Sequence, residues 1–425
     1  MKNEKKPFYR GTSSNVRLNY ELVILFCLLL ILFLPSFFYA AFRLTSISQG
    51  MVFANIFIFL LMLFSWEDIK FSVNSIVLAF ISISVITISS LFFLLHDDIA
   101  KPILSVLPIV LIFFTASEAS KRIYQQNIDL VRIVGSTVII LLVLGFIVVF
   151  DYRIVCCGHG LVGKPIFPFV EPSHYALTFG PLAVGYAFYS NIAKVFFAAF
   201  LFVVLGLALE SLTLIVFSMI IFLSSTIRLK RIYFLLCIPI LIFFTLRIIL
   251  VLIEFSPYFA ARLDVGLNYN TTTLFYLRGF EVAYLNFIDT HGLGLGFQML
   301  GSKYTLTGYY HDLMTFANPN TVSTDSGFLA AKIIAEFGFL GVISLIVYIY
   351  VVLWAILRAN TIHRVLANMK DIRKHREATR RLFFMGVIVG LSVEIFLRSY
   401  GYFSPGVFLL LVAILYLKRC RHDPI

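Results

Sequence analysis

Charge is scarce in this chain. Only 13% of its 425 residues are Asp, Glu, Lys or Arg, about half the share a soluble domain carries. With 60% apolar residues, no separate soluble domain fits anywhere along it. Cysteine is also sparse. The five are Cys27, Cys156, Cys157, Cys237 and Cys420, and two of them fall inside apolar runs, so no disulfide framework is visible. "CCGH" at 156–159 lacks the second ligand pair that a structural zinc site requires. Acidic residues number 22 against 34 basic ones. In a soluble protein that excess would suggest nucleic acid. Here it is explained by basic residues collecting on cytoplasmic loops, and no nucleic acid is expected.

What is abundant is long apolar runs. Twelve stretches, near 22–42, 50–66, 72–95, 102–117, 130–150, 173–191, 194–209, 211–226, 232–253, 327–357, 382–398 and 403–417, approach or exceed the roughly 17–25 residues that cross a bilayer as a helix. The expected fold class is an all-α polytopic integral membrane protein, with 1–425 as one membrane domain. Leu22–Ala41 has no small-x-small cleavage site after it and reads as a retained helix. The tenth stretch is longer than a bilayer needs, so its first part should tilt or lie at the surface.

Lysine and arginine set the orientation. With the N-terminus inside, cytoplasmic segments hold 23 of these residues and the opposite side holds 7. This is the asymmetry the positive-inside rule describes. Both termini and the basic 358–381 loop are therefore expected in the cytoplasm, the latter beside anionic membrane lipid. Two loops stand out on the other side, 151–172 and the long 254–326.

The long loop contains "LRGFEVAYLNFIDTHGLGLGFQ", residues 277–298. Its glycines can hold an anion or allow two backbones to approach closely. Walker chemistry would need Gly-Lys-Ser/Thr after them, whereas Phe297 and Gln298 follow Gly296. At helical spacing Arg278, Glu281, Asn286 and Asp289 fall on one side. Arg278 is then aimed inward, either to grip a pyrophosphate with its planar fork or to pair with Glu281 or Asp289. Arg247 lies inside the ninth stretch with no acidic neighbour in its own helix, and a charge at that depth is costly unless used. Arg398 ends the eleventh stretch, with Glu394 one turn before it as a candidate i, i+4 partner. "PFVEPSHYALTFGP", 168–181, puts Pro172 in a first helical turn with Glu171 and His174 at the helix start. Near 324–326, Thr324, Asp325 or Ser326 can cap the tenth helix. Both helix starts turn positive dipole ends toward the outer face, where an anion can be held.

Taken together, "EPSH", the hairpin "SLT" and the arginine helix before "GLGLG" resemble the bacterial O-antigen polymerases (Wzy) and the related ligases and capsule polymerases. "DSGFLAAKIIAEFGFLG" and "RSYGYFSPGVFLLL" complete the match. The resemblance implies a GT-C-like glycosyltransferase with a large periplasmic loop, in the bacterial inner membrane. It would join undecaprenyl-pyrophosphate-linked oligosaccharide repeat units during lipopolysaccharide biosynthesis, without metal, nucleotide sugar or other cofactor. A chain-length regulator protein is an expected partner. Carried over by position, Arg278 matches the loop arginine that holds the lipid pyrophosphate. The ligases often show Ser-Arg where this chain has Glu210-Ser211, so the further arginines are expected to be Arg247 and Arg398. Asp325 stands where the ligases carry a histidine. It is the favoured base, ahead of Glu171 and His174, with His311 and Asp312 behind them. The alternatives are a lipid-linked repeat-unit flippase, or an O-antigen ligase or capsule polymerase. A flippase would spread its charges along a central cavity rather than gather them at one face.

Overall fold

In the computed structural model the described residues are 14–44, 46–65, 100–125, 129–150, 164–228, 256–263, 271–300, 308–314, 327–366 and 368–422, with positions 80, 83, 84, 243, 247, 250, 251, 253 and 254 besides. All regular structure among them is helical. The helices are α1 (Ser14–Ala41), α2 (Ile47–Ser65), α3 (Ala100–Gln125), α4 (Leu130–Phe150), α5 (Pro172–Tyr189), α6 (Ile192–Ala208) and α7 (Leu212–Thr226). They continue with α8 (Pro257–Leu263), α9 (Thr271–Asp289), α10 (Gly308–Met314), α11 (Leu329–Leu366), α12 (Ile372–Gly390), α13 (Ser392–Phe396) and α14 (Pro405–Arg419). Helices stand at ten of the expected stretches. The third, 72–95, and the ninth, 232–253, lie almost wholly outside the described residues.

Among the described residues, four segments are long and apolar enough to cross a membrane: Val23–Ala41, Pro102–Gln125, Leu130–Phe150 and Leu329–Leu366. The exposed surface agrees with a lipid environment. Along α11, Leu340, Ile343, Val347, Tyr350, Leu353 and Leu357 form a helical stripe, each at least half exposed. Such a stripe in water would be an extended apolar patch of the kind monomers avoid. Inside the bundle, helices meet through small residues. A Cβ on Gly386 would sit 2.7 Å from the Gly185 Cα, and one on Gly390 would sit 2.8 Å from the Pro181 Cα. This close backbone contact of α5 with α12 is how helices associate where lipid removes the hydrophobic drive.

Connections gather at two ends. At one, Lys164 Nζ donates to the Ala208 carbonyl at 2.7 Å, Ser48 Oγ to the Tyr400 carbonyl at 3.2 Å, and the Ser399 N–H to the Gly327 carbonyl at 3.3 Å. At the other, His363 Nε2 donates to the Phe188 carbonyl at 2.7 Å and Tyr189 Oη to the Val131 carbonyl at 3.3 Å. Arg380 reaches the Ile123 carbonyl there at 3.2 Å.

The long tenth stretch is broken at Gly338, whose φ of 53° and ψ of −126° are non-helical. The glycine loop accounts for the break. Leu295 N–H donates to the Ala335 carbonyl at 2.9 Å, Gly296 N–H to the Glu336 carbonyl at 2.8 Å, and Phe339 N–H to the Gly292 carbonyl at 2.7 Å. The carbonyls that the kink frees are thus satisfied by the loop. Gly294, at φ 82°, lies so close that a Cβ would be 2.5 Å from the Glu336 carbonyl oxygen. Of the two readings of "GLGLG", close backbone approach is the one observed. Its Leu295 and Gly296 N–H groups are occupied by α11.

Candidate functional site

The segment 397–404 organises one end of the bundle. Helix α13 stops at Phe396, with Leu397 at φ −120° and ψ −47°. Arg398 therefore leaves the helical path, and the expected i, i+4 pair with Glu394 does not form. Arg398 Nη2 instead pairs with Glu171 Oε1, across 227 residues of sequence.

Glu171 occupies the N-cap position of α5, with extended φ and ψ of −147° and 156°, and Pro172 follows in the first turn as expected. Its side chain makes no capping bond. It is turned instead toward Arg398, the Ser173 hydroxyl, and His174 Nε2 at 2.9 Å. Burial alone would push this carboxyl up. The pull of His174 and Arg398, with hydrogen bonds from His174 and Ser173, outweighs burial and holds it well below the usual carboxylate range. The Tyr400 ring lies against the imidazole at 4.8 Å between centroids. Glu171, His174 and Arg398, all singled out in the sequence, thus meet at one point.

A second polar group lies on the other flank of the same segment. Tyr402 Oη donates to Glu336 Oε2 at 2.7 Å. The N–H groups of Gln298 and Leu300 donate to the same carboxylate at 3.1 and 3.3 Å, and Lys332 Nζ stands 3.9 Å away. Glu336 has no exposed surface. Each of these neighbours is a donor, so an acceptor-only carboxylate is the form that fits. This carboxylate ties the glycine loop, the kinked helix α11 and segment 397–404 together. Sequence reasoning did not single out Glu336, although the Lys332–Glu336 spacing inside an apolar run was a usable signal.

Arg278 is buried to 1% exposure, on a stripe of α9 with Leu274, Val282 and Asn286, while Phe280, Tyr284 and Ile288 face outward. It points inward, as its spacing suggested. Asp289 is exposed. Helix α9 is tied to the site segment by Tyr276, whose hydroxyl donates to the Phe396 carbonyl at 3.2 Å. Arg247 is exposed, with its guanidinium 5.5 Å from the Phe243 ring centroid. Among the described residues no hydrogen bond or ion pair joins it to the Glu171 cluster. Asp325, with Thr324 and Ser326, lies outside the described residues. His311 and Asp312 sit exposed on the short helix α10.

No family model, curated protein or solved structure matches this chain.

Proposed function

We propose that this protein is a membrane glycosyltransferase that polymerises undecaprenyl-pyrophosphate-linked oligosaccharide repeat units, with its chemistry at the periplasmic face of a bacterial inner membrane. The observation that carries the reading is the meeting of Arg398, Glu171 and His174 at one end of an all-helical bundle, rather than along its middle. The lysine and arginine asymmetry assigns that end to the outside, where a lipid-linked donor can be reached but cytoplasmic nucleotide sugars cannot. About twelve spans and a GT-C-like arrangement belong to the same proposal.

The reaction asks little of a cofactor. Undecaprenyl pyrophosphate leaves readily once its developing charge is met, and guanidinium groups meet it without proton transfer. Arg278 is placed for this: an inward arginine on α9, a helix bonded to the segment that carries Arg398. Arg398 keeps a third of its side chain exposed beside Glu171.

The test is reconstitution of the purified protein in liposomes that carry lipid-linked repeat units. A polymerase converts them to multimers on one carrier. A flippase moves them between leaflets with no change in length, and that outcome sinks the proposal. Arg278→Ala should lower polymer formation by at least tenfold, the equivalent of one charge-assisted contact of about 1.5–3 kcal/mol. Arg278→Lys should restore only part, because an ammonium cannot reproduce the fork. Normal long-chain product from Arg278→Ala at matched protein level removes the residue from the mechanism.

A further inference from the structure

Helix α9 turns apolar side chains outward. Phe280, Tyr284 and Ile288 follow one another at i, i+4 and i+8, each about half exposed or more, and the exposed Leu293 just beyond the helix continues the row. The opposite stripe, with Leu274, Arg278, Val282 and Asn286, is buried. In water such an edge would be an apolar patch in need of a partner. The row does not stop with α9. Phe287 packs edge-on against Phe339, with ring centroids 4.7 Å apart, and the Phe339 N–H donates to the Gly292 carbonyl at 2.7 Å. Phe339 and Leu340, both exposed, begin the apolar stripe that runs down α11. The edge of α9 is therefore continuous with the surface already assigned to lipid.

The ends of α9 give its orientation. Phe339–Leu357 is a run of nineteen residues without a charge. As helix it is about 28 Å long, close to the roughly 30 Å of a hydrocarbon core. Phe339 then marks the edge of that core, directly after the break at Gly338. The other end of α9 meets a second apolar stretch where it finishes. Tyr276 Oη donates to the carbonyl of Phe396, at the end of α13, and the Tyr276 ring lies 4.6 Å from that of Phe328. Tyr276 and Phe287 stand about 17 Å apart along the axis of α9. A helix fastened at both ends to the ends of two apolar segments lies across the end of the bundle, along the membrane surface.

We propose that α9 is an interfacial helix, and that the partner covering its Phe280–Tyr284–Ile288 edge is the lipid of the adjacent leaflet, the outer one under the lysine and arginine asymmetry. Amphipathic helices of this kind sink their apolar face about 5–10 Å into the boundary between headgroups and acyl chains, and tyrosine favours that depth. The whole of α9, Arg278 included, is then held at headgroup level. The contact goes beyond the glycosyltransferase reading and does not depend on it, because a polymerase and a flippase alike could carry it.

The experiment uses the full chain in lipid nanodiscs, with no substrate present. Trp66→Phe and Trp354→Phe together remove both tryptophans of the chain. Into that background Phe280→Trp, Tyr284→Trp and Ile288→Trp are introduced one at a time, at sites open enough to take the larger ring without repacking. Each emission should be quenched by phosphatidylcholine brominated high on its acyl chains, and less by the same lipid brominated near the chain ends. Aqueous iodide should quench each less than it quenches Lys374→Trp, an exposed position in the basic segment. Tyr350→Trp, about 16 Å below Phe339 along α11, should show the opposite order of the two brominated lipids. Iodide quenching equal to that of Lys374→Trp, with none from either lipid, would put the edge in water and overturn the proposal. Protection from both quenchers would mean that protein covers the edge, a second copy or another chain, and would overturn it as well. Loss of lipid quenching at Tyr350→Trp would remove the α11 stripe and the proposal with it. Absence of polymer in the liposome assay overturns the glycosyltransferase reading and leaves this one standing.

Discussion

Removing the Glu336 carboxylate should open the glycine loop, and the structure gives the size of the effect. Four donors converge on this side chain: the Gln298 and Leu300 N–H groups, the Tyr402 hydroxyl and the Lys332 ammonium. Glu336→Ala leaves the two N–H groups and the Tyr402 hydroxyl with no acceptor, and leaves the Lys332 ammonium only Gln298 Oε1 at 3.4 Å. Deleting one member of a buried ionic group costs about 3–5 kcal/mol. Glu336→Gln keeps the shape and one oxygen. With that oxygen placed toward Gln298 and Tyr402, the amide NH2 faces the Leu300 N–H and Lys332, donor against donor. The loss is then one charge-assisted bond, about 1.5–3 kcal/mol. Tyr402→Phe removes a single donor and leaves the carboxylate three others, so it should be the mildest.

Hydrogen exchange reads this directly, because amide protection tracks the free energy of local opening. In Glu336→Ala the Gln298 and Leu300 amides should exchange about 10²- to 10³-fold faster, at 1.4 kcal/mol per tenfold. In Glu336→Gln the Leu300 amide should be affected more than that of Gln298. Amides of α4, remote from the loop, serve as the control. Wild-type exchange at Gln298 and Leu300 in Glu336→Ala would show that the carboxylate does not hold the loop, and the reasoning would be wrong.

Gly338→Ala places a Cβ on the Gly292 carbonyl at a backbone angle that non-glycine residues avoid. The backbone strain alone costs about 1–3 kcal/mol, which should appear as a lower unfolding temperature in detergent. Unchanged melting would mean that the kink relaxes. Glu171 has a folded-state carboxyl held below its ordinary value of 4.5. Its contribution to stability is therefore complete above the ordinary carboxylate range and is lost as pH falls through the lowered value. Glu171→Gln should be less stable than wild type at neutral pH, and the gap should close on acidification. A gap that widens toward low pH contradicts the assignment. Cysteines introduced at 300–320 should react with an impermeant thiol reagent in intact spheroplasts, and those at 365–375 should not. The reverse pattern inverts the topology.

The helices were legible because each apolar run is long and its ends are marked by charge, proline or a capping residue. Asn191, Ser211, Asp371 and Ser404 all cap helices by accepting N–H bonds from their own first turns, and all but Asp371, which is followed by the basic start of α12, stand where an apolar run begins. The break in α11 was legible only as excess length. Gly338 and Gly341 are equally permissive in the sequence. What selects Gly338 is the Gly292 carbonyl bonded to Phe339, a contact from 47 residues upstream. Within the basic 358–381 loop, residues 358–366 continue α11 and residues 372–381 open α12.

The site was legible by residue type and illegible by partner. Arg398 and Glu394 satisfy i, i+4 spacing, and spacing is all a sequence can offer. The pair requires the helix to continue, and it ends at Phe396. Glu394 is then fully buried against Gly406, while Arg398 swings to Glu171. Asp325, the base favoured by resemblance, lies outside the described residues. A position matched by resemblance carries chemistry only if something orients it, and orientation comes from contacts made across the fold. For His174 that orienting group is in its own motif: "EPSH" places a carboxylate three residues before an imidazole at a helix start. Such spacing can bring the two side chains within bonding reach on one face, and the observed bond is 2.9 Å. The proline between them fixes the first turn and removes an N–H that would compete for the carboxylate. The dyad is thus a local consequence of four residues, and only its anchor, Arg398, had to come from the far end of the chain.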